Sequence, residues 1–290
     1  MIHMQRVTKL KQGFSLNIQD LQIQRGITLL VGKNGAGKST LLHLLATASQ
    51  PSSGKITYGG KTTADIAQIR REIGFLPSAI ELYEVMTMEK FLYYMGELKG
   101  INKNDCKREV EELLYCLHLQ GMHKIKLKNL SEGVKQRTAI AQALLGSPFF
   151  LFLDEPLTAL DIQEKKSVIK YIGQHYAQKR LAVIVTHELN EWEVICDNLI
   201  LLHDGEIVYS GNPTQWKYDT NYYVWEGILT HEEGEHLERQ VNVINRKKEK
   251  DHVKYRIISK TPPNPSFQQQ QPTLEDAYFI KKMSLGLSND

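Results

Sequence analysis

Hydrophobic and polar positions along this chain follow two different periods. In "FSLNIQDLQIQ", Leu16, Ile18 and Ile23 stand among polar residues with turn signals at either end, the period-two pattern of short strands. "GITLLVGKNGAGKSTLLHLLAT" predicts a short buried strand, a glycine-rich turn, and a helix whose apolar residues return at helical spacing. Residues from about 86 to 120 read as helical through "MTMEKFLYYMGELKG" and "NKNDCKREVEELLYCLHLQ", and a further helix runs from Ser131 to Leu145. "SPFFLFLDEP" is a continuous apolar strand ending in acids, which suits a parallel strand covered on both faces. The helix "DIQEKKSVIKYIGQHYAQK" and the strand "LAVIVTH" complete the alternation of an α/β fold, and "NLILLHDGEIVYSG" reads as a hairpin turning at Asp204-Gly205.

Beyond about Gly211 the pattern changes. "VNVINRKKEKDHVKYRIIS" predicts two strands joined by a charged turn, "TPPNPSFQQQQP" a low-complexity linker, and "TLEDAYFIKKM" one last short helix. A boundary is expected near 212–220, dividing a domain at 1–215 from a small α+β accessory domain at 216–290. "WKYDTNYYVWEG" is expected in the core of that domain, and "HEEGEH" as a solvated acidic loop, because its histidines lie five apart rather than four.

Composition narrows the class. With 290 residues, 41% hydrophobic and 24% charged, the chain is a globular protein with ample core. A net charge of +3 gives no general attraction to nucleic acid, and no nucleic-acid partner is expected. Cys106, Cys116 and Cys196 lack metal-ligand spacing and are odd in number, which points to a reducing, cytoplasmic compartment. No apolar run approaches the ~20 residues that span a bilayer, and "MIHMQRVTKLKQGF" lacks the apolar core of a secretory signal. Any work at a membrane is therefore peripheral, from its inner face and through a partner.

The chemistry concentrates in "GKNGAGKST", where Gly32, Lys33, Asn34, Gly35, Ala36, Gly37, Lys38, Ser39 and Thr40 form a phosphate-binding loop. Glycines let successive backbone N–H groups curl around phosphate oxygens. Lys38 supplies a point charge, Ser39 a hydroxyl for Mg²⁺, and the helix start an aligned dipole. Asp154 ends an apolar strand where a carboxylate can hold the Mg²⁺ shell, and Glu155 can polarise an attacking water. Alone, the two acids read as solvated strand-end residues; the upstream loop turns them into a site. His187, also at a strand end, is either structural or a neutral donor to phosphate or water.

Together, "GKNGAGKST", "LSEGVKQR", "FLFLDEPLTALD" and "VIVTHE", in this order, resemble the ATP-binding subunit of an ABC transporter over about residues 1–215. The resemblance implies a P-loop ATPase cassette with an N-terminal antiparallel β region and an inserted α-helical subdomain at about 86–146. It implies Lys38, Ser39 and the loop backbone on ATP, Asp154 on Mg²⁺, Glu155 as catalytic base, and His187 as the switch histidine. Asp161 would communicate across a dimer, while Ser131 and Gly133 would face the γ-phosphate of ATP held by the other subunit. A helix beginning near Ser131 offers free N–H groups to an anion, although the serine also reads as a plain N-cap. The implied partners are a second ATP-binding subunit, identical or related, and a multi-spanning permease. "GFLPSAIELYEVMT" and "QPTLEDAYFI" further resemble the bacitracin-resistance-type branch of peptide and drug exporters. The rival class is a non-transport or regulatory ABC ATPase. Against a chromosome-associated member, only 93 residues separate Lys38 from Ser131, and no sustained heptads appear.

Three departures from the family pattern matter. Ser78 stands where a glutamine usually follows "LP", and reaches Mg²⁺ or water only through another water, so slower turnover or altered coupling is expected. Leu10 and Lys11 occupy the approximate place of an adenine-stacking aromatic, leaving Phe14 as its substitute or as core. Glu132 replaces a common glycine, and its charge should point away from a triphosphate.

Overall fold

The computed structural model describes residues 1–62, 65–218, 220–239, 241–249 and 252–284. The chain divides into two compact units, Met1–His187 with Ile195–Ser210, and Glu188–Val194 with Gly211–Asp290. The second unit thus begins at Gly211 and takes in a short segment that was expected in the first.

The first unit opens with β1 (Ile2–Lys11) and β2 (Phe14–Ile23), paired antiparallel with Met4 opposite Leu21 and Val7 opposite Ile18. Ile2, Met4, Val7, Leu16, Ile18, Leu21 and Ile23 are all buried, with the alternation broken once in each strand, between Met4 and Val7 and between Ile18 and Leu21, beside Arg6 at φ 49°. All six residues of β3 (Gly26–Val31) are buried, and α1 (Lys38–Leu45) follows the glycine loop. β4 (Ser53–Tyr58) and β5 (Lys61–Thr62) extend the antiparallel sheet in the order β2-β1-β4-β5. α2 (Ile66–Arg71) leads into β6 (Ile73–Leu76).

Three helices then pack on one another: α3 (Met88–Leu98), α4 (Lys103–Cys116) and α5 (Glu132–Leu144). Thr87 and Asn102 cap the first two, each accepting the N–H three residues on. The C-terminal end of α5 is held by Lys99, whose ammonium donates to the Leu145 carbonyl at 2.6 Å. Burial pushes Lys99 down to about 8.

The chain returns through β7 (Phe150–Asp154), α6 (Ile162–Tyr176) and β8 (Leu181–Val185). After α7 (Leu189–Trp192), which belongs to the second unit, β9 (Asn198–His203) and β10 (Glu206–Gly211) close the first. Asp204 and Gly205 both take positive φ, 44° and 83°, as the expected hairpin turn needs. The main sheet runs β10-β9-β3-β8-β7-β6, with the five strands from β9 to β6 parallel. Parallel pairing brings the C-terminal ends of β3, β6, β7 and β8 to one edge, where ligands of open α/β sheets bind.

In the second unit, α8 (Pro213–Tyr218) precedes β11 (Tyr223–Thr230), α9 (His231–Glu238), β12 (Asn242–Glu249) and β13 (His252–Ser259). β14 (Gln268–Gln270) and α10 (Leu274–Ser284) end it, and the antiparallel sheet runs β12-β13-β11-β14. The charged turn expected between β12 and β13 falls at 250–251, outside the described residues. Two expectations need correction. "HEEGEH" is not a loop but most of α9, because Thr230 and Glu233 form a reciprocal capping box at its start. The proline- and glutamine-rich stretch is not only a linker: it carries β14, anchored by buried Phe267. The Phe267 ring lies where a Cβ on Gly227 would come within 2.5 Å, so that strand position has room only for glycine. In the aromatic cluster Trp216 is buried, whereas Tyr218 and Tyr223 are exposed.

Among the described residues of this unit the buried charge is Asp276, which accepts from Arg256 Nε at 3.0 Å and Nη2, and from the Thr273 backbone and hydroxyl. Arg256 also donates to Glu226 at 2.7 Å. Removing the guanidinium leaves Asp276 charged, buried and short of its main partner. Arg256→Met is therefore expected to cost about 3–5 kcal/mol of unfolding free energy, read from urea denaturation; a change below about 1 kcal/mol would contradict this ion-pair assignment.

Candidate functional site

The site is assembled at the C-terminal edge of the parallel sheet. Between β3 and α1 the loop makes a tight turn that tolerates no side chain at two glycines. A Cβ on Gly32 (φ 154°) would lie 2.2 Å from the Leu202 carbonyl oxygen, and one on Gly37 (φ 104°) would lie 2.6 Å from the Phe14 ring. Lys33, Asn34 and Gly35 are exposed at the rim, Lys33 within 3.6 Å of Asp204, while Ala36 is buried. Lys38 folds back over the loop: its Nζ donates to the carbonyls of Gly32 at 2.7 Å and Lys33 at 3.0 Å. Burial lowers the Lys38 ammonium, and the nearby charges of Glu155 and Asp154 work against that drop. Ser39 is exposed in the first turn of α1, and Thr40 beside it accepts from Lys11 Nζ at 3.1 Å.

Asp154 is the last residue of β7 and is 4% exposed. Glu155 follows in the left-handed region at φ 48°, a strained conformation for a non-glycine residue and one found at functional sites. Its backbone N–H donates to the Val185 carbonyl at 3.0 Å, and its carboxylate meets His187 twice, at the backbone N–H and at Nε2, both at 3.4 Å. Burial first, and then the Lys38 ammonium, hold the half-exposed His187 imidazole below its ordinary pKa, against the pull of Asp154. Ser78 is exposed two residues past β6, whose last residue pairs with Leu153, so it stands at the same sheet edge as Asp154. Phe14 is partly buried, packed on the main core and against Gly37. Leu10 is 66% exposed.

The remaining motif residues lie around the start of α5. Ser131 occupies the N-cap position and is exposed, but its side chain accepts no capping hydrogen bond. The plain-cap reading of this serine is thereby corrected: the first-turn N–H groups of α5 do not use its hydroxyl. Glu132 turns back along the helix to pair with Lys135 at 2.9 Å. Gly133 approaches the loop before α6 so closely that a Cβ would lie 2.7 Å from the Ala159 carbonyl oxygen. Asp161 caps α6, accepting from Glu164 N–H at 2.9 Å while Glu164 accepts from Asp161 N–H at 3.0 Å.

Three residues to which the motifs gave no role, Gln136, Arg137 and Glu164, tie these parts together. Gln136 donates to the carbonyls of Glu155 at 3.2 Å and Pro156 at 3.1 Å. Buried Arg137 pairs with Glu164 at 2.5 Å and donates to the Leu117 and His118 carbonyls. The capping pattern Asp161-x-x-Glu164 was visible in the sequence, and Gln136 and Arg137 close the motif "LSEGVKQR", whose spacing alone does not tell what they hold.

The glycine loop with its inturned lysine, and the paired acids at the neighbouring strand end, define a P-loop ATPase. Residues 16–158 match the sequence family described as ABC transporter. The ABC transporter ATP-binding protein NatA of Bacillus subtilis is 33% identical over 194 residues, 66% of this chain and 79% of that protein. A solved structure described as the ATP-binding subunit of an ABC transporter superposes with a TM-score of 0.70 at 25% identity, over 76% of this chain and 92% of that one. The fold is also that of the ATP-binding cassette MJ0796, solved as a dimer in a post-hydrolysis state with ADP and Pi (TM-score 0.65, 24% identity, 73% of this chain and 98% of that one). The chain belongs to the ABC transporter family. It is an ATPase cassette whose ligands are ATP and Mg²⁺, and the donor set fits them: a hydroxyl from Ser39 and a carboxylate from Asp154 are the hard oxygens Mg²⁺ takes.

The lowered His187 pKa has a definite sign. The imidazole stays neutral to a lower pH than a free histidine, so its NMR titration midpoint is expected below about 6.5 and should climb back in Lys38→Met. A wild-type midpoint at or above that value would contradict the electrostatics described.

Proposed function

We propose that this chain is the energy-supplying subunit of a transporter, working peripherally at the cytoplasmic face of a membrane and driving a separate multi-spanning permease. Among the described residues no helix is long and apolar enough to cross a membrane, which is in keeping with a permease on another chain. Two copies close around two MgATP, each contributing the Lys38 side of one site and the Ser131 side of the other. The observation that carries this reading is the uncapped start of α5: an exposed Ser131 leaves a positive helix end available to an anion on another molecule.

Within each site, the loop amides and Lys38 hold the β- and γ-phosphates, and Ser39 and Asp154 hold the metal. Bound Mg²⁺ supplies charge neutralisation of the phosphates. Glu155 takes the proton of the attacking water, and the neutral His187 imidazole donates toward phosphate or water. Gly133 lets the signature helix approach the Asp161 loop, which carries the signal to the partner. Phe14, packed against Gly37 and the only Phe, Tyr or Trp ahead of the phosphate loop in the sequence, is the candidate to stack on adenine. Ser78, shorter than the glutamine usual at its place, would reach the metal only through a water. The finer assignment, outward movement of a peptide or drug-like substrate with antibiotic resistance as its consequence, rests on the resemblance of "GFLPSAIELYEVMT" and "QPTLEDAYFI" to that exporter branch.

Glu155→Gln removes the base and keeps the shape. Its turnover is expected to fall by ~10²–10⁴ with MgATP binding retained, measured by phosphate release and by nucleotide titration. Hydrolysis near the wild-type rate would overturn the role of Glu155.

A further inference from the structure

The β1–β2 hairpin ends against the phosphate loop. Lys11 and Phe14 are paired across its turn, and the Phe14 ring packs on Gly37 so closely that a Cβ there would lie 2.6 Å away. That contact sets the end of β1 beside the first turn of α1. From there the Lys11 side chain reaches Thr40, where its Nζ donates to Oγ1 at 3.1 Å. Thr40 is buried and Lys11 is exposed, so the ammonium covers this hydroxyl from the solvent side.

The lysines around the loop have different partners. Lys33 stands 3.6 Å from Asp204. Lys38 is turned inward onto the Gly32 and Lys33 carbonyls, within the influence of Glu155 and Asp154. Lys11 has no acidic partner among the described residues, and the Thr40 hydroxyl takes only one of its three donors. A cation left with spare donors at a phosphate site is placed to meet an anion.

Which part of the anion it meets follows from the helix. Successive helical residues turn by about 100°, so side chains two apart, as Lys38 and Thr40 are, leave the helix in different directions. Lys38 takes the side toward Asp154 and Glu155, where the terminal phosphate belongs. Lys11, arriving on Thr40 from the hairpin, takes another. A triphosphate lying across the helix start then has one cation near its γ end and a second near its α end.

We propose that Lys11 is a nucleotide-binding residue that grips the α-phosphate, a contact outside the phosphate-loop motif that serves ADP as well as ATP. Thr40 orients the ammonium, and its remaining donors go to phosphate oxygen. The proposal deepens the reading of this loop as the ATP site and rests on it.

The test is equilibrium titration of the full chain with MgADP and with the magnesium complex of the β,γ-imido analogue of ATP, which is not hydrolysed. Lys11→Met is expected to weaken both by the same factor, about tenfold, the loss of one charge-assisted hydrogen bond at an exposed position. Wild-type affinity is expected to fall more steeply than that of Lys11→Met as KCl rises from about 0.05 to 0.5 M, because salt screens the lost charge. Lys11→Arg keeps the charge and is expected to bind both nucleotides within about threefold of wild type. Unchanged affinity in Lys11→Met overturns the proposal, as does a loss confined to the triphosphate, which marks a γ contact. Equal salt dependence in wild type and Lys11→Met overturns it too. So does a loss of affinity or of folded protein that Lys11→Arg shares, which marks a merely structural tie to Thr40. Lys38→Met separates the two levels. If it abolishes binding while Lys11→Met leaves binding intact, the phosphate loop stands and the Lys11 role falls; if neither weakens binding, both fall.

Discussion

The register of three parallel strands is the constraint on which the site depends. Leu30 of β3 and Asp154 of β7 both pair with Val185 of β8, so the three chains leave the sheet at one level. From that level β3 opens into the glycine loop, β7 into Glu155, and β8 into His187. The Glu155 N–H on the Val185 carbonyl extends the ladder one residue further and accompanies the positive φ of Glu155. A slip of one residue would turn Asp154 to the opposite face of the sheet and take it away from Lys38. The geometry of the site is a consequence of sheet pairing, with the glycines of the loop as the local accommodation it requires.

A second framework sits on this one. Arg137 on the signature helix and Glu164 on α6 form a buried ion pair, and Glu164 is also the residue that closes the capping box on Asp161. The close passage of Gly133 by Ala159 and the reach of Gln136 to Glu155 and Pro156 complete the connection. The start of α5, the loop at Asp161 and Glu155 are thus bound into one body within the chain. In the dimer proposed above, a helix start that meets a partner's nucleotide would carry its displacement to Glu155 and to the Asp161 loop together.

Much of this was legible from local pattern. Period two gave β2, a continuous apolar run gave β7, and the spacing of Gly32, Gly37 and Lys38 gave the phosphate loop, whereas β1 was expected only within the antiparallel region that the family resemblance implied. What escaped notice is long-range or depends on packing. Asn190 Nδ2 donates to Glu275 Oε2 at 2.8 Å from 85 positions away, and nothing near either announces the pair. The low-complexity stretch hid β14 because its anchor is a single aromatic, Phe267, that fits the space left by a glycine forty residues upstream. The helix α9 was signalled one residue before the stretch that drew attention, by Thr230 with Glu233, and the acidic composition obscured it.

The central claim is that each chain carries two half-sites and is complete only against another. Sedimentation velocity of the full chain carrying Glu155→Gln, with and without saturating MgATP, measures this directly. The account predicts a monomer without nucleotide and a dimer with it, and predicts that adding Ser131→Arg abolishes the dimer while nucleotide still binds. A chain that remains monomeric at saturating MgATP, or a dimer indifferent to Ser131→Arg, would contradict it.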